Sequence, residues 1–221
     1  MNVLLRYAIP NSTMTVKSVH VIGSHFTNPF NMQLQGDIWT CEIQLSPGEH
    51  LYKFLINEEL PVFDPYNNLF EYDENEELWS LLIIDEFGRQ LFNPHPYHIT
   101  LADCQLTQNT HNSYIKSYSN VIDPRIIVTI RCTNITGVHG ITVAWYLPGE
   151  VLFEYSESGI CATDEEFVSA MFWIRLDDIP PIASSGTWIF RLFLDGILVI
   201  EEFFSITPWT LARCKRKLPD H

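Results

Sequence analysis

The sequence predicts an all-β protein built as two tandem β-sandwiches, and three observations carry that reading. Short runs rich in Val, Ile, Phe, Tyr, Trp and Thr recur between turn signals, with no long amphipathic helical period. The runs form two groups divided by "FNPHPY" at 92–97, where two prolines and an asparagine suit a linker. The apolar fraction, 46% of 221 residues, is enough to bury a core in each group.

In the first group the expected strands are "SVHVIGS" (18–24), "IWTCEIQL" (38–45), "LYKFLIN" (51–57) and "LWSLLII" (78–84). Asn28-Pro29, Ser46-Pro47-Gly48-Glu49 and Asp64-Pro65-Tyr66-Asn67-Asn68 break the chain between them. The second group reads "HITLADCQL" (98–106), "RIIVTIRCTNI" (125–135), "GITVAWYL" (140–147), "VLFEYS" (151–156), "FVSAMFWIRL" (167–176), "TWIFRLFL" (187–194) and "ILVIEEFFSI" (197–206). Asp195-Gly196 between the last two is a strong hairpin signal. Seven short strands in about 110 residues without crossover helices fit an immunoglobulin-like sandwich. Cys132 and Trp145 have the approximate spacing of that fold's strand-B cysteine and strand-C tryptophan, but "TWIFRLFL" offers no second cysteine, so no disulfide is expected there. Trp145, Trp173 and Trp188 are expected to fill this sandwich. The domains are therefore drawn at 1–90, 91–208 and a short basic tail, 209–221, with Trp209 just after the last strand.

Charge excludes some partners. The chain carries 13 Lys/Arg against 27 Asp/Glu, a net −14. Residues 1–86 hold 3 basic and 13 acidic groups, residues 87–208 hold 6 and 13, and only the tail is positive. So acidic a body repels nucleic acid and anionic membranes. No apolar run reaches the ~18–20 residues needed to span a bilayer, and Arg6, Pro10 and Asn11 interrupt any signal-peptide core at the start. Five cysteines without a CxxC pair suit reduced thiols and a cytoplasmic protein.

The stretch "GDIWTCEIQLSPGEHLYKFLIN" (36–57) carries the most information. Alternation places Trp39, Cys41, Ile43 and Leu45 on one face, then Tyr52, Phe54 and Ile56 after the turn. Lys53 falls on the opposite face and is expected to lie outward, near Thr40, Glu42 and Asn57. Together with "VHVIGSHFTNPF" and "FDPYNN", these residues resemble the glycogen-binding domain of AMP-activated protein kinase β subunits, a carbohydrate-binding module. The resemblance covers residues 18–85 and rests on Gly23-Ser24, Gly36 with Trp39, Pro47-Gly48, Tyr52-Lys53-Phe54, and Asp64-Pro65 with Asn67.

Members of that family grip an α-glucan with two stacking tryptophans, a lysine and polar residues on a last strand. The resemblance implies that Lys53 is the lysine. The first tryptophan position falls at Pro29 or Phe30, where Phe30 can substitute, and the second falls near Leu60 or Pro61, without a ring. The last-strand positions fall near Leu78 and Ser80, with Trp79 between them, core by alternation and outward if the register shifts by one. Candidate glucan-binding residues are thus Phe30, Lys53, Leu60, Trp79 and Ser80.

Other motifs carry no chemistry. The acidic run "EYDENEE" (71–77) lacks the ligand alternation and glycine of a calcium loop. "HPYH" (95–98) lacks a third zinc ligand. No nucleophile elbow, phosphate loop or metalloprotease motif occurs, the pairs Glu165-Glu166 and Asp177-Asp178 read as surface charge, and "DDIPPIASSG" (177–186) reads as a loop. Neither a catalytic set, a metal site nor a cofactor is expected. Two function classes follow: a non-catalytic protein that binds an α-glucan, or a scaffold for a protein partner in which the sugar site has degenerated.

Overall fold

The computed structural model describes residues 2–9, 13–107, 117–119, 125–163, 165–176 and 186–207. The basic tail with Trp209, and most of the loop read at 177–186, lie outside these residues. Among the described residues, ten strands precede the 92–97 linker: β1 (Asn2–Tyr7), β2 (Val19–Gly23), β3 (Phe30–Asn31), β4 (Gln33–Gln35), β5 (Ile38–Gln44), β6 (Gly48–Ile56), β7 (Leu60–Val62), β8 (Phe70–Tyr72), β9 (Leu78–Ile84) and β10 (Gln90–Leu91). Eight follow it: β11 (His98–Thr107), β12 (Ser117–Ser119), β13 (Arg125–Thr136), β14 (Val138–Leu147), β15 (Val151–Cys161), β16 (Val168–Arg175), β17 (Thr187–Leu194) and β18 (Ile197–Thr207).

The protein is all-β, two immunoglobulin-like sandwiches in tandem. In the first, sheet β1-β5-β4 faces sheet β10-β9-β6-β2-β3, with β7 beside β6 and β8 beside β9. In the second, β11-β13-β16 faces β12-β18-β17-β14-β15. The turn at 46–48 therefore does not close a hairpin. It carries the chain from β5 in one sheet to β6 in the other, which removes Lys53 from the neighbourhood of Thr40 and Glu42.

The strand "GITVAWYL" is apolar without alternation because β14 is buried on both faces. Ile141, Val143 and Trp145 belong to the second core, with Cys104, Cys132 and Trp188. Ala144 and Tyr146, joined by Phe193 of β17, belong to the first core, with Val3, Tyr7, Phe54 and Ile56. Each sandwich thus completes the other. Cys41, Cys104, Cys132 and Cys161 are free thiols. Trp145 and Trp188 are fully buried, but Trp173 is 53% exposed, contrary to expectation. In β16 the core face belongs to Phe172 and Ile174, so Trp173 turns outward opposite Ile127 of β13.

Small residues let the sandwiches approach. A Cβ on Gly140 would lie 2.4 Å from the Phe63 ring, and one on Gly159 would lie 2.2 Å from the Tyr72 hydroxyl. The expected Asp195-Gly196 hairpin joins β17 to β18, both turn residues having positive φ as a type I′ turn requires. Its tip is part of the seam: Tyr7 donates its hydroxyl hydrogen to the Gly196 carbonyl at 3.2 Å.

Behind that tip lies a buried imidazole. His139 Nδ1 meets Asp195 Oδ2 at 2.6 Å, and Nε2 meets the Thr136 carbonyl at 3.0 Å. Both ring nitrogens face acceptors, so the arrangement favours the doubly protonated ring. Burial pulls the His139 pKa down, but Asp195 and the carbonyls of Thr136 and His98 outweigh it and hold the pKa above its ordinary value. The native state therefore binds this proton more tightly than the unfolded chain. Its stabilisation is fully present below about pH 6.5 and is lost as pH rises through the higher native value. Denaturant midpoints should fall across that alkaline side, and His139→Gln should flatten the slope. An unchanged slope in the variant would assign the effect to another group.

Candidate functional site

Strand register decides where each candidate residue points. Across β6 and β2, Val21 pairs with Phe54 and Ile22 with Lys53. Directly paired residues share a face, so Val21 and Phe54 face the first core while Ile22 and Lys53 face away from it. Across β6 and β9, Leu51 pairs with Leu81 and Tyr52 with Ser80. Trp79, two residues before Leu81, consequently shares the outer face with Lys53, and Ser80 shares the inner face with Tyr52. Trp79 is therefore outward by register, not a residue of the first core.

That outer face is not wet, which corrects the expected exposure of Lys53. Lys53 is only 2% exposed because the second sandwich covers it. Its Nζ donates to Glu157 Oε2 of β15 at 2.5 Å and lies 4.6 Å from the Trp79 ring centroid and 5.1 Å from that of Phe63. Thr142 of β14 donates its hydroxyl to the other Glu157 oxygen at 3.3 Å. Burial pushes the Glu157 carboxyl up, against the opposing pull of Lys53 and Thr142. A cation held by a carboxylate between two aromatic faces is well compensated for its desolvation.

The remaining candidates do not gather around it. Phe30 is 38% exposed, but it pairs with Val21 and therefore lies on the face opposite Lys53, where it meets Phe26 edge to face at 5.3 Å. Leu60 pairs with Ile56 and is buried in the first core. Ser80 is fully buried, and its hydroxyl oxygen accepts the Asp64 N–H at 2.9 Å. Leu60 and Ser80 are thus removed from the outer surface by their pairing partners. The motif residues around Ser80 form one buried network. Tyr52 donates its hydroxyl to Asp64 at 2.6 Å, and Asn67 donates to the Leu81 carbonyl at 2.7 Å. Burial raises the Asp64 carboxyl to about 6, against its hydrogen bonds from Tyr52 and the Tyr66 N–H. Asp64, Asn67 and Tyr52 brace the 63–69 loop from inside.

Between the sandwiches, over the Lys53–Glu157 pair, a cleft of about 530 Å³ stays open. Lys53, Glu157 and Trp79 line it together with Tyr72, Tyr155 and Glu77. Tyr72 and Tyr155 are 51% and 42% exposed. The acidic 71–77 run supplies one wall, where the Asp73 carboxylate accepts the N–H groups of Asn75 and Glu77 and fixes the turn between β8 and β9. The cleft combines apolar ring faces with hydroxyl and carboxylate acceptors and an excess of negative charge. It suits a neutral hydroxylated ligand better than an anion. Among the described residues no three His, Cys, Asp or Glu side chains gather to hold a metal ion.

Tyr155 and Glu157 were not among the candidates found from sequence. The strand expected at 151–156 stopped short of Glu157, and the pairing of Tyr155 and Glu157 with Ala144 and Thr142 on the seam face of β14 is visible only in the fold.

No family model matches the chain, and no curated protein matches it in sequence. Among solved structures it is similar over 92% of its length to a maltogenic amylase from S. marinus, at 15% identity and a TM-score of 0.33. The chain spans only 28% of that amylase. It is also similar over 93% of its length, and 98% of the other chain, to a DUF3823 family protein from Bacteroides ovatus, at 10% identity and a TM-score of 0.29. Likeness at these scores says nothing about a ligand.

Proposed function

We propose that the chain is a non-catalytic carbohydrate-binding-like protein that takes a short neutral glucan segment, or a chain end, into the cleft between its sandwiches. The observation that supports this most is the meeting of Lys53 and Trp79, two of the expected sugar-contact residues, with two exposed tyrosines around one cleft. Ring faces accept the C–H surface of a sugar while carboxylates and hydroxyls meet its hydroxyl groups. The volume lies within the range of small-molecule sites. The ligand surface would then be Tyr72, Tyr155 and the rim of Trp79, rather than an open sheet crossed by Phe30 and Lys53.

One observation favours the other reading, a scaffold without sugar affinity: Lys53 is already committed to Glu157 and leaves no ammonium hydrogen-bonding surface in the open. Affinity electrophoresis on glycogen and calorimetry with maltoheptaose separate the two. Wild type should be retarded, and Tyr155→Ala should weaken binding about fivefold to tenfold, the loss of roughly 1 kcal/mol of ring contact. A wild-type protein that migrates unretarded and gives no heat leaves the scaffold reading.

A further inference from the structure

A second seam pocket, about 280 Å³, lies on the far side of β6 from Lys53. The 14–17 segment, the β6–β7 turn, the β14–β15 turn and β17 converge on it. Its polar lining includes Arg191, Glu150, Tyr146, Lys17, Asn57 and Glu59.

Arg191 is the unusual member. It is fully buried in a strand that is otherwise almost wholly apolar. Nε donates to Glu201 at 2.7 Å and Nη2 to Glu150 at 2.5 Å, while the guanidinium lies 4.5 Å from the Tyr146 ring centroid. By strict hydrogen-bond geometry neither the third nitrogen, Nη1, nor the Tyr146 hydroxyl has a partner among the described residues, although guanidinium and phenol interact weakly with each other. A buried polar atom left so is costly and calls for an explanation.

We infer that this pocket is a binding site for one neutral polyhydroxylated ring, of the size of a single hexose. Charge excludes the alternatives. Two carboxylates already neutralise Arg191 more than fully, and Glu59 offsets Lys17, so an anion would meet net negative charge. A cation would gain from that net charge but would leave Nη1, which can only donate, facing a like charge without an acceptor. What remains must accept from Nη1 and donate to carboxylate and phenol oxygens at once, as vicinal hydroxyls do.

The pocket is also rigid. Asn57 Oδ1 accepts the Lys17 N–H at 2.7 Å and its Nδ2 donates to the Thr15 carbonyl at 2.8 Å. Thr13 donates its hydroxyl to Glu201 at 2.7 Å. A site held by both sandwiches loses little freedom when filled. The inference stands apart from the reading of the Tyr155 cleft, since it uses different residues.

Titration of the isotope-labelled full chain, followed by amide chemical shifts, tests it with D-glucose, with maltoheptaose and with inorganic phosphate. Glucose should saturably shift the amides of Tyr146, Gly149 and Glu150 at millimolar concentration. Tyr146→Phe, which keeps the ring, and Glu59→Gln, at an exposed position, should each weaken that response at least fivefold. Tyr155→Ala should leave it unchanged while lowering the response to maltoheptaose in the cleft. No saturable shift with glucose means that the pocket holds solvent only and overturns the inference. A tighter response to phosphate than to glucose, or a response indifferent to both pocket variants, overturns it equally.

Discussion

Gly196→Ala should lower the melting temperature by roughly 8–16 °C. The Cβ it introduces would come within 1.9 Å of the Phe63 carbonyl oxygen, a backbone atom, at a residue whose φ is +76°. Two costs therefore add: left-handed backbone strain of about 1–3 kcal/mol and overpacking of about 1–3 kcal/mol. A total near 4 kcal/mol gives that shift at about 2–4 °C per kcal/mol for a chain of this size. Gly36 provides the internal comparison. Its φ is +64°, but no atom lies within 4 Å of its would-be Cβ. Gly36→Ala should thus carry the strain alone, on the order of 1 kcal/mol. If thermal unfolding finds the two substitutions equally harmful, the hairpin tip does not press on the 63–65 loop.

Lys53→Ala should destabilise the protein by about 3–5 kcal/mol, because it leaves the largely covered Glu157 without its cation. It also removes the ammonium from between the rings of Trp79 and Phe63. Lys53→Met with Glu157→Gln should recover most of that loss, since the charges then disappear together and the methionine refills the space between the rings. A denaturant double-mutant cycle measures the coupling. Additive losses would mean that the pair contributes nothing jointly. Any loss of glycogen retention in Lys53→Ala would then report on the seam, so the exposed Tyr155 is the sounder probe of sugar contact.

Much of the strand content was legible because the long strands alternate or run continuously apolar between clear breakers. "LWSLLII", "TWIFRLFL" and the Asp195-Gly196 hairpin stand where they were expected. The short edge elements β3, β4, β7, β8 and β10 were not legible, since two or three residues carry no period. The strand β1 was also missed, although "NVLLRY" buries Val3, Leu5 and Tyr7 in strict alternation.

The misreading of Lys53 has a specific physical cause. Alternation says which residues share a face, but not what covers that face. The warning lay in Leu51, Leu55 and Trp79, which occupy the same side as Lys53 and make it too apolar for a solvated surface. Arg191 carried a similar sign, a single guanidinium in a strand apolar on both sides. A carboxylate 104 positions away decided Lys53, and no local pattern contains that information. Arg191 was decided by Glu201, its hairpin partner ten residues on, and by Glu150, 41 residues back.

The shared core has a consequence in time. Tyr7 closes on Gly196 across 189 residues, and the first core waits for Ala144, Tyr146 and Phe193. At a synthesis rate of about 5–20 residues per second, roughly 5–20 s separate the appearance of β10 from that of β17 on a ribosome. Throughout that interval the N-terminal half has an incomplete interior, and its Trp79 face is bare. Such a half cannot reach its final form early and wait. It must be kept from other exposed chains until the sequence that closes it has been made.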